Sequence, residues 1–136
     1  MDRSDDMTTS TTIAALLGPT FVATALMVLL NLGAMPSLIE ELSKFPMMIV
    51  LAGYAAFVPG LAIVYFHNRW TGGWPMLITV FGWLSVVIGF ARMVFPMQLV
   101  GIMQTAEPAL HIVLPVVGVV FLLVGGVLTF KAYGLR

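Results

Sequence analysis

The chain has 136 residues, of which 60% are apolar and 9% charged, with six Lys or Arg balanced by six Asp or Glu. A soluble domain carries about 25% charged residues to keep its surface wet, so water is not the main solvent of this one. Zero net charge gives no basic footprint for nucleic acid, and the lack of cysteine removes disulfides, thiolate nucleophiles and cysteine metal sites.

The leader Met1-Asp2-Arg3-Ser4-Asp5-Asp6 is acidic, and residues 1–10 read as a disordered polar tail. An acidic leader followed by a long apolar run is a retained first span rather than a secretory signal. Apolar stretches over residues 12–32, 46–67, 74–95 and 109–131 each approach or exceed the roughly 20 residues needed to cross a hydrocarbon core. They must be helices, because an open strand edge in lipid leaves backbone groups unpaired at a cost of several kcal/mol each. The expectation is a single all-α integral membrane domain over residues 1–136, a compact four-helix transmembrane bundle whose first partner is the lipid bilayer.

The linker between spans 1 and 2 holds Ser37 followed by Glu40, the S-x-x-E spacing of a capping box at a helix start. After it, Leu38, Ile39, Leu42 and Phe45 fall on one face, with Glu40, Glu41 and Lys44 opposite, the pattern of a short amphipathic helix lying at the membrane interface. The linker between spans 3 and 4 repeats the outline with Leu99, Val100 and Met103 apolar and Gln98 and Gln104 polar. Overlaying "LGPTFVATALMVLLNL" on "FGWLSVVIGFARMVFP" pairs Gly18 with Gly82, and one further insertion pairs Gly53 with Gly118 and Gly60 with Gly125. Such an alignment suggests two parallel helical-hairpin repeats, although glycine is common enough in membrane helices for chance matches.

Small residues recur every seven positions: Gly53 and Gly60, Gly82 and Gly89, Gly118 and Gly125, with Gly18 and Ala25 in the first span. Seven residues is close to two helical turns, so each pair lies on one face and lets a neighbouring backbone approach. Pro59 falls in mid-span and frees the Ala55 carbonyl, while Pro75 and Pro115 are expected in first or second turns, where a missing N–H costs little.

Polar chemistry concentrates in "FHNRWTGGWP", residues 66–75. Trp70 and Trp74 suit headgroup level, Thr71-Gly72-Gly73 supplies a turn, and His67, Asn68 and Arg69 are placed to cap the last carbonyls of span 2. Two readings stay open, a structural corner or a headgroup or anion site. Arg92 is read as the only cation inside a span, roughly 11 Å from midplane at about 1.5 Å per residue, within snorkelling reach of the interface. An ion pair with Glu40, Glu41 or Glu107 or a contact with lipid phosphate is the expected role, and an anion or substrate site is the alternative. Tyr54, Thr79 and Ser85 complete the polar residues available to line a path with Arg92.

No Asp or Glu lies within a span, which weighs against proton-coupled export through an embedded carboxylate. Met35, Met47, Met48, Met93, Met97 and Met103 share the linker side with His111, a set of soft ligands that would suit Cu(I), though flexible apolar filler is the commoner use of methionine. No metal or cofactor is assigned. Neither is an enzyme activity, since no Ser, Thr or Lys is visibly paired with a base.

"HNRW", "ITVFGW" and "RMVFP" together resemble a family of small bacterial four-span membrane proteins. Its pattern runs H-N-x-W, T-x-x-G-W and an Arg shortly before Pro, matched here by His67, Asn68, Trp70, Thr79, Gly82, Trp83, Arg92 and Pro96. The resemblance implies a bacterial cytoplasmic (inner) membrane and supplies no activity. Arg3, Arg69, Lys131 and Arg136 on one side against Lys44 and Arg92 on the other put both termini in the cytoplasm. Two functions fit: a homo-oligomeric transporter or channel for a small solute or anion, its path between subunits, or a non-enzymatic accessory or assembly subunit of a larger membrane protein complex.

Overall fold

A computed structural model describes residues 3–134. Six helices follow one another: α1 Arg3–Leu30, α2 Met35–Ser43, α3 Pro46–Phe66, α4 Trp74–Val94, α5 Pro96–Thr105 and α6 Glu107–Tyr133. Four of them are long and apolar enough to cross a membrane: Met7–Leu30 within α1, and the whole of α3, α4 and α6. No strand occurs among the described residues.

Helix α1 starts earlier than expected, so residues 3–10 of the presumed disordered tail are helical. Their hydroxyls turn back onto the helix: Thr8 and Thr9 donate to the Asp5 carbonyl, Thr11 to Met7 and Thr12 to Thr8. Polar side chains satisfied in this way let a helix continue where composition suggests a tail.

The S-x-x-E expectation also fails. Helix α2 begins at Met35 with Pro36 in its first turn, which leaves Ser37 inside the helix, donating to Ala34 O at 2.8 Å. Proline takes the start because its fixed φ suits a first turn and its missing N–H is no loss there. In α6 the helix starts at Glu107, so Pro108 holds the first turn and Pro115 lies in the interior.

The long helices associate in antiparallel pairs, α1 with α6 and α3 with α4, and the two pairs touch each other only lightly through α1, α4 and α6. Each pair closes on the seven-residue glycine pattern. Gly18, Gly53, Gly60, Gly82, Gly89, Gly118 and Gly125 are all buried. A methyl group at Gly60 would lie 2.9 Å from Val86 N and 3.0 Å from Gly82 O, and one at Gly125 would lie 2.8 Å from Val22 N and 2.9 Å from Gly18 O. Backbone stands against backbone along both seams, the contact that remains available when lipid gives no hydrophobic reward for association. Between the pairs, Phe21, Phe81 and Phe121 form a ring cluster with centroids 4.9 to 5.8 Å apart. Nearer the chain termini Ala14, Ile78, Leu128 and Ala132 make the buried apolar core.

The first residues of α1, the last of α6 and the 67–73 turn share one end, as the Tyr133 Oη to Ala15 O hydrogen bond of 3.2 Å and the contacts of His67 record. The opposite, linker end carries α2 and α5, which touch each other. Helix α2 buries Met35 and Ser43 and half-buries Ile39, while Leu38, Leu42 and Phe45 stay exposed on an adjoining face.

Candidate functional site

The stretch "FHNRWTGGWP" folds into a corner closed by two buried side chains. Helix α3 ends at Phe66, and the His67 N–H still reaches Ile63 O at 2.7 Å. Gly72 and Gly73 then take φ of 81° and 77°, left-handed backbone that favours glycine, and α4 opens at Trp74-Pro75.

The His67 ring is 2% exposed and bridges three segments: Nε2 lies 3.1 Å from Pro75 O, and Nδ1 lies 3.3 Å from Ser10 Oγ on α1. A carbonyl only accepts, so Nε2 carries the hydrogen; in the neutral ring Nδ1 then accepts from Ser10. Thr79 on α4, fully buried, receives the Arg69 N–H at 3.0 Å and turns its own hydroxyl to the carbonyls of His67 at 3.1 Å and Arg69 at 3.0 Å. The expected cap of span 2 by His67, Asn68 and Arg69 side chains is thus replaced, for His67, by a ring that spans helices. Asn68 accepts from Trp70 Nε1 at 2.8 Å on the exposed side of the turn. Trp74 packs against the terminal core. Every polar group of His67 and Thr79 is spent on holding the turn, α1 and α4 together. Ser10 is the partner that sequence reasoning missed, hidden in a run of threonines 57 positions away.

The linker end differs. Arg92, half-buried, stands in the last turn of α4, where the helix dipole favours a cation, and its stem packs on Gly53 of α3. The expected partners are engaged elsewhere or absent. Lys44 takes Glu41 at 2.7 Å and Glu40 at 4.0 Å, three and four residues back on its own helix, and neither these carboxylates nor Glu107 forms an ion pair with Arg92. Local geometry wins, since residues three and four apart on a helix are neighbours before any tertiary contact forms. The Glu41 hydrogen bond and charge hold the Lys44 ammonium above its ordinary pKa of 10.5. Among the described residues the Arg92 guanidinium makes no hydrogen bond or ion pair. It borders a cavity of about 350 Å³ between α2, α3, α4 and α5, lined otherwise by apolar side chains that include Leu42, Ala52, Ala91, Leu99 and Met103.

The remaining candidates do not gather on one wall. Ser85 faces Gly60 across the α3–α4 seam, Thr79 is sealed in the corner, and Tyr54 is exposed on α3. Lys131 also lies within a spanning helix, in the last turn of α6. Among the described residues no group of three or more His, Asp or Glu is placed to hold a metal ion. His111 is exposed on α6, and of the linker-side methionines Met35 is buried whereas Met47 and Met97 are exposed.

An all-helical chain with four helices long and apolar enough to span, joined by closely packed glycine seams, has the make-up of a multi-pass membrane protein. No family model, curated protein or solved structure matches the chain.

Proposed function

We propose that the protein is a non-enzymatic multi-pass protein of a bacterial inner membrane, both termini cytoplasmic, which passes a small anion as a homo-oligomer and recognises it through Arg92. The single observation that carries this reading is a guanidinium with no side-chain partner among the described residues, beside a cavity, in a helix long and apolar enough to span, where a charge is by default a candidate for function. Glycine seams and the Phe21, Phe81, Phe121 cluster fill the interior of one chain, so the path runs between chains. The orientation is supported by Arg69 and Lys131 lying at the termini end and Lys44 and Arg92 at the linker end. Exposed Leu38, Leu42 and Phe45 beside Glu40, Glu41 and Lys44 support α2 as a helix seated at the interface.

The two halves, α1 to α3 and α4 to α6, are read as parallel repeats. What supports this is the seam contacts: a Cβ at Gly125 would meet Val22 N, Gly18 O and Phe21 Cβ, and one at Gly60 would meet Val86 N, Gly82 O and Ser85 Cβ, the same atoms displaced by 64 positions. Gly118 against Val28 and Leu29, and Gly53 against Arg92 and Met93, obey the same displacement. Each first helix packs on the second helix of the other half.

Reconstitution of the whole chain into vesicles, with anion flux followed by an anion-sensitive dye and stoichiometry by native mass spectrometry, tests the reading. An oligomer whose flux disappears in Arg92→Gln supports it. A monomer without flux contradicts it, and a larger membrane protein retained on purification moves the assignment to an accessory subunit.

A further inference from the structure

If the halves are repeats, packing residues recur in the two helix pairs, α1 with α6 and α3 with α4, and departures mark what one pair does alone. At the linker end the departures converge. Arg92 stands where the first half has Val28, Ala91 where it has Met27, and Ile88 where it has Thr24, each 64 positions on; Ala52 on α3 stands where α6 has Val117, 65 positions on. All four line the cavity of about 350 Å³. Two large side chains have been exchanged for alanine, one polar side chain for isoleucine, and one apolar side chain for a cation. The first two exchanges open space, the third makes it apolar, and the fourth charges one edge.

We infer that this cavity binds a single-chain amphiphilic carboxylate of medium length, the carboxylate on Arg92 and the hydrocarbon tail among Leu42, Ala52, Ile88, Ala91 and Leu99. The assignment deepens the proposed function, on which it rests, by naming the class of anion. Guanidinium is a planar fork that pairs bidentately with a carboxylate, and among the described residues no carboxylate pairs with Arg92. Volume decides the tail. At about 30 Å³ for a water-sized group, the cavity of about 350 Å³ has room for roughly ten such groups, the length of one medium chain. The tail fills the apolar space and the arginine supplies the choice of head.

The full-length protein in nanodiscs of zwitterionic lipid is titrated with decanoate and, as a control of opposite charge, with decyltrimethylammonium, and bound ligand is read by native mass spectrometry. The expected result is one decanoate per chain, no ammonium adduct, and decanoate binding weakened about tenfold or more in Arg92→Gln. Ala52→Val with Ala91→Met puts back at each position the side chain type that the α1–α6 pair carries there; it is expected to remove binding by filling the tail space while helicity and melting stay those of the wild type. Equal decanoate binding by wild type and Arg92→Gln overturns the inference, as does retained phospholipid that decanoate does not displace. Should the refilled variant melt early, Ala91→Met alone gives the same reading. Flux of small anions without decanoate binding overturns the inference and leaves the transport reading standing; decanoate binding without flux does the reverse.

Discussion

The two ends of the molecule treat their polar residues in opposite ways. At the termini end, His67 and Thr79 are buried and every ring nitrogen and the hydroxyl has a partner, drawn from α1, the turn and α4. At the linker end, the Arg92 guanidinium has no side-chain partner among the described residues and a cavity beside it. Buried polar groups that satisfy one another stabilise a unique arrangement, whereas a satisfied group has nothing left to offer a ligand. The densest polar stretch of the sequence folds as a structural corner, and the arginine at the other end is the group proposed for recognition.

That contrast can be broken or sharpened by substitution. The largest effect is expected at the seams. Gly60→Val sets a branched side chain against Val86 N and Gly82 O, inside 3.0 Å already for its first carbon, and is expected to cost about 3 kcal/mol or more, read as a fall in the thermal midpoint in nanodiscs. Gly126→Ala is the matched control: no atom lies within 4 Å of its added methyl, so a gain of about 0.5 to 1 kcal/mol is expected from the helix backbone alone. Next comes the corner. Thr79→Val keeps the shape, strips the acceptor from the Arg69 N–H and the donor from two carbonyls, and is expected to cost about 1 to 3 kcal/mol by the same melt.

The smallest effect is expected at Lys44. Its raised pKa means that the pairing with Glu41 is fully present below pH 10.5 and is lost as pH rises past that value, so stability should show no Lys44-dependent step between pH 6 and 9. The group is fully exposed, and Lys44→Met is expected to leave the melting midpoint at pH 7 within the scatter of repeat scans.

Much of the fold was legible because lipid imposes simple rules. Four long apolar runs mean four spans, and a seven-residue repeat of glycine marks the face each helix turns inward. The repeat does not say which helices face each other, because Gly18 and Gly82 carry the same signal; the pairing of α1 with α6 and α3 with α4 is a tertiary outcome. His67 was visible as an unusual residue, but its Ser10 partner lies 57 positions away and obeys no spacing rule. Ion partners for Arg92 were sought among the linker carboxylates by proximity along the membrane normal, a guide that ignores the stronger local pull of Lys44 on Glu40 and Glu41. The cavity was illegible, since Ala52 and Ala91 look like ordinary packing residues until the other half supplies Val117 and Met27 for comparison.

The most direct test of the contrast between the two ends is the melting of Arg92→Leu beside Thr79→Val in ligand-free nanodiscs. An arginine whose side chain has no partner among the described residues can be removed within about 0.5 kcal/mol of wild-type stability, while the corner variant melts clearly lower. A loss in Arg92→Leu as large as that in Thr79→Val would make the arginine an anchor of the fold and contradict its assignment as the recognition group.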